Sequence, residues 1–245
     1  MEDLVFAIIV FIFGIMIGSF LNVLIYRIPK GENIAFPASH CQSCLTPLKG
    51  YHNIPIFSWL FLGGKCGFCG EKISIQYPIV ELITGLIAIA LFYKLGLNWQ
   101  LPIVFIVFSL LFALVMIDFK YMAVPDNLNY LALAFALIQP NYLDAIINAF
   151  IAGGSIAILR IILTKILKKE AMGEGDIPVI ATMGALLGFP LFFVALFLSA
   201  LLAMLPSLLA RDKMVPFVPF LAMGTFIVYI FDTQALELLQ WVIYG

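Results

Sequence analysis

Two aspartates carry the first chemical signal in this sequence. Asp176 closes the segment Gly173-Glu174-Gly175-Asp176, which lies between a basic stretch (Lys165, Lys168, Lys169) and a long uncharged apolar run. Asp118 is the first charge after another such run. A carboxylate at bilayer depth costs about 2.5–3.5 kcal/mol, so its presence there marks a functional candidate. Two carboxylates held close together cannot both ionise cheaply, so they share a proton and divide into a base and an acid. Water needs that division to cut a peptide bond: one group takes a proton from the water, the other gives one to the carbonyl or the leaving amine. The plainer alternative is two ordinary helix-end charges. Gly173 and Gly175 allow positive φ and a close approach by another chain. Asp126 follows Pro125 and suits capping of the next helix better than catalysis.

Four cysteines form the second signal. Cys41-x2-Cys44 and Cys66-x2-Cys69 are 21 residues apart. Two such knuckles suit one tetrahedral Zn2+ held by four thiolates, a closed structural site with no position left for water. The spacing is slightly wider than the usual range. A pair of redox dithiols or unligated thiols are the alternatives, and a reducing compartment favours metal. His40 is a further candidate ligand, less needed with four cysteines available.

The elements that must position these groups are membrane helices. The chain is 64% hydrophobic and 11% charged, with a mean hydropathy of +1.12. Those figures exclude an ordinary soluble domain, and a net charge of -1 gives no nucleic-acid signal. The acidic start Glu2-Asp3 argues for a retained first span rather than a secretory signal. Apolar runs predict eight spans, at about 4–26, 77–93, 95–117, 128–138, 142–163, two within 177–210, and 214–231. The run 177–210 holds 34 uncharged residues, about 51 Å as one helix, so Gly188-Phe189-Pro190 is expected to divide it. A polar-headed tail, 232–245, remains. The fold class expected is therefore an all-α polytopic membrane protein of about eight transmembrane helices. A small zinc-binding domain, about 28–75, lies between helices 1 and 2. A polar loop of that size has too little core to fold without a metal.

Eight spans put the cysteine domain, Asp118, Asp176 and Arg211 after odd-numbered helices, hence on one side. Twelve of the 13 Lys and Arg residues fall there, and only Lys94 falls opposite. That bias makes the shared side cytoplasmic.

The ordered motifs resemble those of the bacterial prepilin peptidases, the type IV leader peptidase/N-methyltransferases of the GxGD aspartic membrane proteases. The resemblance runs from about residue 14 to 222. It is carried by Gly18-Ser-Phe-Leu-Asn-Val-Leu-Ile-Tyr-Arg-Ile-Pro29, Ser39-His-Cys-Gln-Ser-Cys44, Asn53-Ile-Pro-Ile-Phe-Ser-Trp59, Gly64-Lys-Cys-Gly-Phe-Cys69 and Tyr77-Pro-Ile-Val-Glu81. Asp118, Pro125-Asp126 and Gly173-Glu-Gly-Asp176 complete it. The resemblance implies that Asp118 and Asp176 are catalytic and that Cys41, Cys44, Cys66 and Cys69 bind the metal. It implies cleavage of a basic leader from prepilin or pseudopilin precursors of type IV pilus or type II secretion systems, at the cytoplasmic face of the inner membrane. Methylation of the new N-terminus by S-adenosyl-L-methionine would follow. Residues 1–95 would hold the methyltransferase region and 96–245 the peptidase. Where the family carries a PFGPF-like segment, this chain reads Pro216-Phe-Val-Pro-Phe220. Val218 replaces the glycine, which puts a close backbone approach there in doubt.

Gly173, Glu174 and Gly175 are candidate substrate-binding residues, because the glycines let an extended segment lie along the loop. Glu174 fits a rim charge facing a basic leader. No nucleotide-binding fingerprint is present, so cofactor binding would use another kind of pocket. Glu81 could orient the amine, and Asn22 and Arg27 could hold the cofactor's polar ends. Capping, interhelical hydrogen bonding and membrane anchoring are their structural alternatives. Rival functions are a peptidase without methyl transfer, a proton-coupled transporter and a zinc-stapled scaffold.

Overall fold

The computed structural model describes residues 2–168, 173–210 and 215–245. Lys169, Arg211 and Lys213, all part of the charge count, lie outside the described residues. Among those described the protein is helical, and its strand-like pairings are two isolated bridges, His40 with Pro47 and Lys65 with Lys72. The chain divides into two compact units, Met1–Leu101 and Pro102–Gly245.

The first unit is built on two long apolar helices, α1 (Glu2–Arg27) and, after a short α2 (Phe57–Phe61), α3 (Gln76–Leu95). Neither has an apolar face distinct from a polar one, because lipid surrounds what protein does not. What brings them together is small size. Gly14 and Gly18, one turn apart on α1, face Glu81, Thr84, Gly85 and Ala88 of α3. A Cβ on Gly18 would stand 2.7 Å from the Glu81 Cα, closer than any real side chain permits. Small residues at this spacing let helices in lipid gain close van der Waals contact. Leu4, Phe6, Ile9, Phe13 and Phe20 point outward and are exposed.

The second unit contains α4 (Gln100–Tyr121), α5 (Asp126–Ala136), α6 (Tyr142–Leu167), α7 (Asp176–Leu187), α8 (Leu191–Ala210), α9 (Val218–Ile230) and α10 (Asp232–Tyr244). Buried positions make up 61% of the apolar stretch of α4 but only 17% and 22% of those of α6 and α8, so α4 is a core helix and the other two face lipid. Helix α7 packs on α5, α6 and α9, and almost every residue from Asp176 to Ala185 is buried.

Five helices are long and apolar enough to cross a bilayer, or six if α9 and α10, bent by 92°, form one span. Helices α5, α7 and α9 have 11, 12 and 13 residues. At 1.5 Å per residue each reaches about 17–20 Å, short of the roughly 30 Å of a bilayer core. The run 177–210 is divided as expected. Gly188 ends α7 at φ 64, and α8 starts at Leu191. Two local expectations need correction. Residue 118 lies in the last turn of α4, which runs on to Tyr121, because nothing before Met122 (φ 51) breaks the helix. Pro125, not Asp126, is the N-cap of α5, and no side chain caps it. The tail 232–244 is the helix α10.

Candidate active site and metal centre

The two aspartates, 58 positions apart, meet in the second unit. Asp118 ends α4 and Asp176 begins α7. They are 5% and 8% exposed, and their charges act on one another. Three contacts hold them there. The loop after Asp118 passes so close to Gly175 that a Cβ on that glycine would lie 2.6 Å from the Val124 Cβ. Fully buried Asn129 of α5 donates from Nδ2 to the Gly175 carbonyl at 2.7 Å. Val218, first residue of α9, donates its backbone N–H to Asp118 Oδ2 at 3.3 Å.

Gly173, Glu174 and Gly175 form the turn that leads into α7. The Asp176 N–H bonds the Gly173 carbonyl at 3.3 Å and the Ile177 N–H bonds that of Glu174 at 3.3 Å. Glu174 is exposed and pairs with Arg160 Nη2 of α6 at 2.9 Å. Asp126 is exposed. Sequence reasoning missed Asn129. Its only signal was an amide inside a short apolar segment.

In the first unit the four cysteine sulfurs all lie within 4.8 Å of one another, and none is in a disulfide. Each knuckle is a tight hairpin. The Cys41 N–H bonds the Thr46 carbonyl and the Cys66 N–H bonds that of Glu71. The residue after each second cysteine, Leu45 or Gly70, has positive φ. Zn–S bonds of about 2.3 Å imply a tetrahedral S···S edge of about 3.8 Å. The Cys41 and Cys69 sulfurs are 3.8 Å apart, so the set fits a tetrahedral ion. The thiols divide the charge unevenly. Hydrogen bonding to Thr46 lowers the Cys44 thiol to about 6. A backbone bond at Glu71 favours the Cys69 thiolate, but burial and the three other thiols push that thiol up to about 12. A divalent cation is what allows all four to ionise together. His40 Nδ1 is engaged with the Ala38 carbonyl at 3.0 Å.

Asn22, Arg27 and Glu81 surround the point where this cysteine-bearing segment joins the helix pair. Arg27 is buried, and its Nη1 and Nη2 donate to the carbonyls of Asn33, Ile34 and Pro37 at 2.9, 3.2 and 2.7 Å. Glu81 Oε2 accepts the Ile56 N–H at 2.6 Å. Ile56 sits at φ 63, ψ -54, a conformation that costs a branched residue about 1–3 kcal/mol and persists only when its surroundings impose it. Asn22 Nδ2 donates to the Tyr77 carbonyl at 3.1 Å. Its Oδ1 is buried with no partner among the described residues, an acceptor free for a ligand N–H.

Residues 12–95 match the family described as the Bacterial Peptidase A24 N-terminal domain, and residues 105–208 match the Type IV leader peptidase family. The chain is 38% identical over 188 residues to the prepilin leader peptidase/N-methyltransferase of Myxococcus xanthus (strain DK1622), covering 74% of this chain and 56% of that protein. To the proteins of the same name from Aeromonas hydrophila and Bacillus subtilis (strain 168) it is 33% and 32% identical. Those alignments cover 89% and 94% of this chain, and 88% and 96% of the relatives. No solved structure matches it. With both parts matched in order and near-full-length relatives above 30% identity, the chain belongs to the type IV leader peptidase family, among the bacterial prepilin leader peptidase/N-methyltransferases.

Proposed function

We infer that this protein removes the leader from prepilin-like precursors and methylates the N-terminus so exposed. The observation that carries the reading is the buried pairing of Asp118 and Asp176. Between them they can add water across a peptide C–N bond. One carboxylate takes a proton from the water as its oxygen joins the carbonyl carbon. The other supplies the proton that the departing amine needs. We assign cleavage to residues 96–245 and methyl transfer to residues 1–95.

Burial of both carboxylates keeps bulk water away and makes a shared proton stable. The turn 173–175 offers backbone along which an extended substrate segment can lie, and Glu174 offers a carboxylate to a basic leader. A scissile bond must leave its helix to be attacked, and Asp118 and Asp176 stand at helix ends, where an extended segment can be presented to them. With the short helices α5, α7 and α9 counted as partial spans, the chain has eight membrane segments. The bias of Lys and Arg then makes the face bearing Asp118, Asp176 and the cysteine domain cytoplasmic, in the bacterial inner membrane.

Cys41, Cys44, Cys66 and Cys69 would hold a structural Zn2+. For methyl transfer, the residues that fit a polar ligand are Asn22, through its Oδ1, and Glu81, whose carboxylate already accepts from the Ile56 N–H and from Ser19 and would take an amine on a remaining lone pair. Arg27 acts mainly on the protein itself, fixing the 33–37 backbone, with Nε and one Nη2 hydrogen left for a carboxylate. S-adenosyl-L-methionine, when bound, supplies the methyl group. The chain's own task is to present the new amine uncharged and aligned.

Purified protein in detergent, given a prepilin-like precursor, is expected to shorten it by the leader. Mass spectrometry should then find one methyl group gained when S-adenosyl-L-methionine is added. Cleavage without methylation would restrict the activity to the peptidase. No cleavage by folded, metal-loaded protein would remove the reading.

A further inference from the structure

Helix α9 starts with an accounting problem whose solution reaches the dyad. The first four N–H groups of a helix have no partner within it. In α9 these belong to residues 217–220. Pro219 has no N–H. The Phe220 N–H turns back to the Phe217 carbonyl at 3.0 Å, beside the first regular helical bond, from Leu221 to Phe217, at 3.2 Å. The Val218 N–H goes to Asp118 Oδ2, 100 residues earlier in the chain. Val218 is fully buried, so water cannot serve instead.

We propose that Val218 is a positioning residue for the peptidase reaction: its backbone N–H fixes Oδ2 of Asp118 and leaves Oδ1 as the oxygen that faces the attacking water. The proposal rests on the dyad reading above. It also explains why a valine is tolerated at this position. The group at work is the main chain, and residue 218 is not among those with positive φ, so no glycine is required. Pro219, at the second helical position, removes a competing donor from the same turn. The positive end of α9 adds to the bond by favouring negative charge on Asp118. Asp176 stands at the first position of α7, so two helix starts converge on the pair and can hold the one negative charge that a shared proton leaves. A carboxylate fixed by one oxygen cannot swing, and a displacement of about 1 Å costs on the order of 100-fold in rate.

The test removes that N–H, at the cost of a weaker acceptor at the Phe217 carbonyl, which receives the Phe220 and Leu221 N–H groups. Replacing Val218 by its α-hydroxy acid during synthesis turns the amide into an ester of the same shape. Cleavage of a prepilin-like precursor should then lose about 30- to 100-fold in kcat with KM changed less than threefold. Val218→Ala, which keeps the N–H but opens a cavity at a fully buried position, should lower the melting temperature and lose clearly less in kcat than the ester. The same ester at Gly224, in the middle of α9, reports the general cost of an ester in this helix. Equal losses for the esters at 218 and 224, or a loss carried by KM, would overturn the proposal. So would full activity of the ester at 218. Asp118→Asn and Asp176→Asn, assayed alongside, test the dyad separately. If both abolish cleavage while the ester at 218 does not, only the positioning role falls.

Discussion

Asn129 of α5 and Gly175, 46 residues later, are joined by a hydrogen bond of 2.7 Å from the Asn129 amide to the Gly175 carbonyl. This bond ties the first turn of one short helix to the residue before Asp176, so the aspartate inherits its position from a side chain outside the dyad. Removing one partner of a buried hydrogen bond costs about 1–3 kcal/mol, because the other is left unsatisfied. Asn129→Leu should therefore lower the melting temperature by a few degrees and cut kcat for cleavage about tenfold or more. Asn129→Gln, which keeps a donor on a longer arm, should recover part of the loss. Hydrogen exchange around residues 173–177 should rise in the leucine variant, and unchanged exchange would mean that the bond is idle.

Gly175 and Val124 form a second test. A Cβ at position 175 would meet Val124 Cβ at 2.6 Å, so Gly175→Ala should drive the two loops apart and cost roughly 100-fold in kcat. Val124→Gly removes the Val124 Cβ together with the γ-carbons, which a Cβ at 175 would meet at 3.0 and 3.2 Å. The double variant should then be more active than Gly175→Ala alone. A double variant as poor as the product of the singles would show that the loops do not touch as described.

The candidate residues of the proposed site stood out in the sequence because they break a pattern. Asp118 and Asp176 interrupt uncharged runs, and the four cysteines fall in pairs. The division of 177–210 was legible in Gly188-Phe189-Pro190. What brings the groups together was not. Asn129 reads as one polar residue in an apolar stretch, and the Val218 contact is made by main chain, which leaves no trace in residue type. Arg27 reads as a membrane anchor until its guanidinium is seen holding three carbonyls. Helix ends were misjudged at 118–121 and 125–126 because charges and prolines suggest boundaries that neighbouring packing shifts by a few residues.

The cysteine cluster gives a stoichiometric expectation. Metal analysis should find one Zn2+ per chain, and Co2+ substitution should give the spectrum of a tetrahedral four-thiolate site. Each Cys→Ser substitution should release the ion. Metal is held only by thiolates, so binding expels protons and affinity must fall as pH is lowered. A protein that is folded and active with no bound metal would remove the four-thiolate site.

The Arg160–Glu174 pair, at 2.9 Å, is exposed on the glutamate side. Exposed pairs are worth about 0–1 kcal/mol, so Arg160→Gln should leave stability within experimental scatter. If Glu174 receives a basic leader, Glu174→Gln should raise KM a few-fold for a lysine-bearing leader and leave a neutral leader unaffected. That difference should shrink with added salt. Equal effects on both leaders would assign Glu174 to loop structure alone.

Cleavage by the single and double variants of the dyad is the most direct measurement. Groups that act as one unit are non-additive when removed. Asp118→Asn and Asp176→Asn should each lower kcat by at least about 1000-fold in protein that keeps its melting temperature, and the double variant should be no slower than the worse single. Substantial cleavage by either single variant, or losses that multiply in the double, would contradict a shared-proton pair at the junction of α4 and α7.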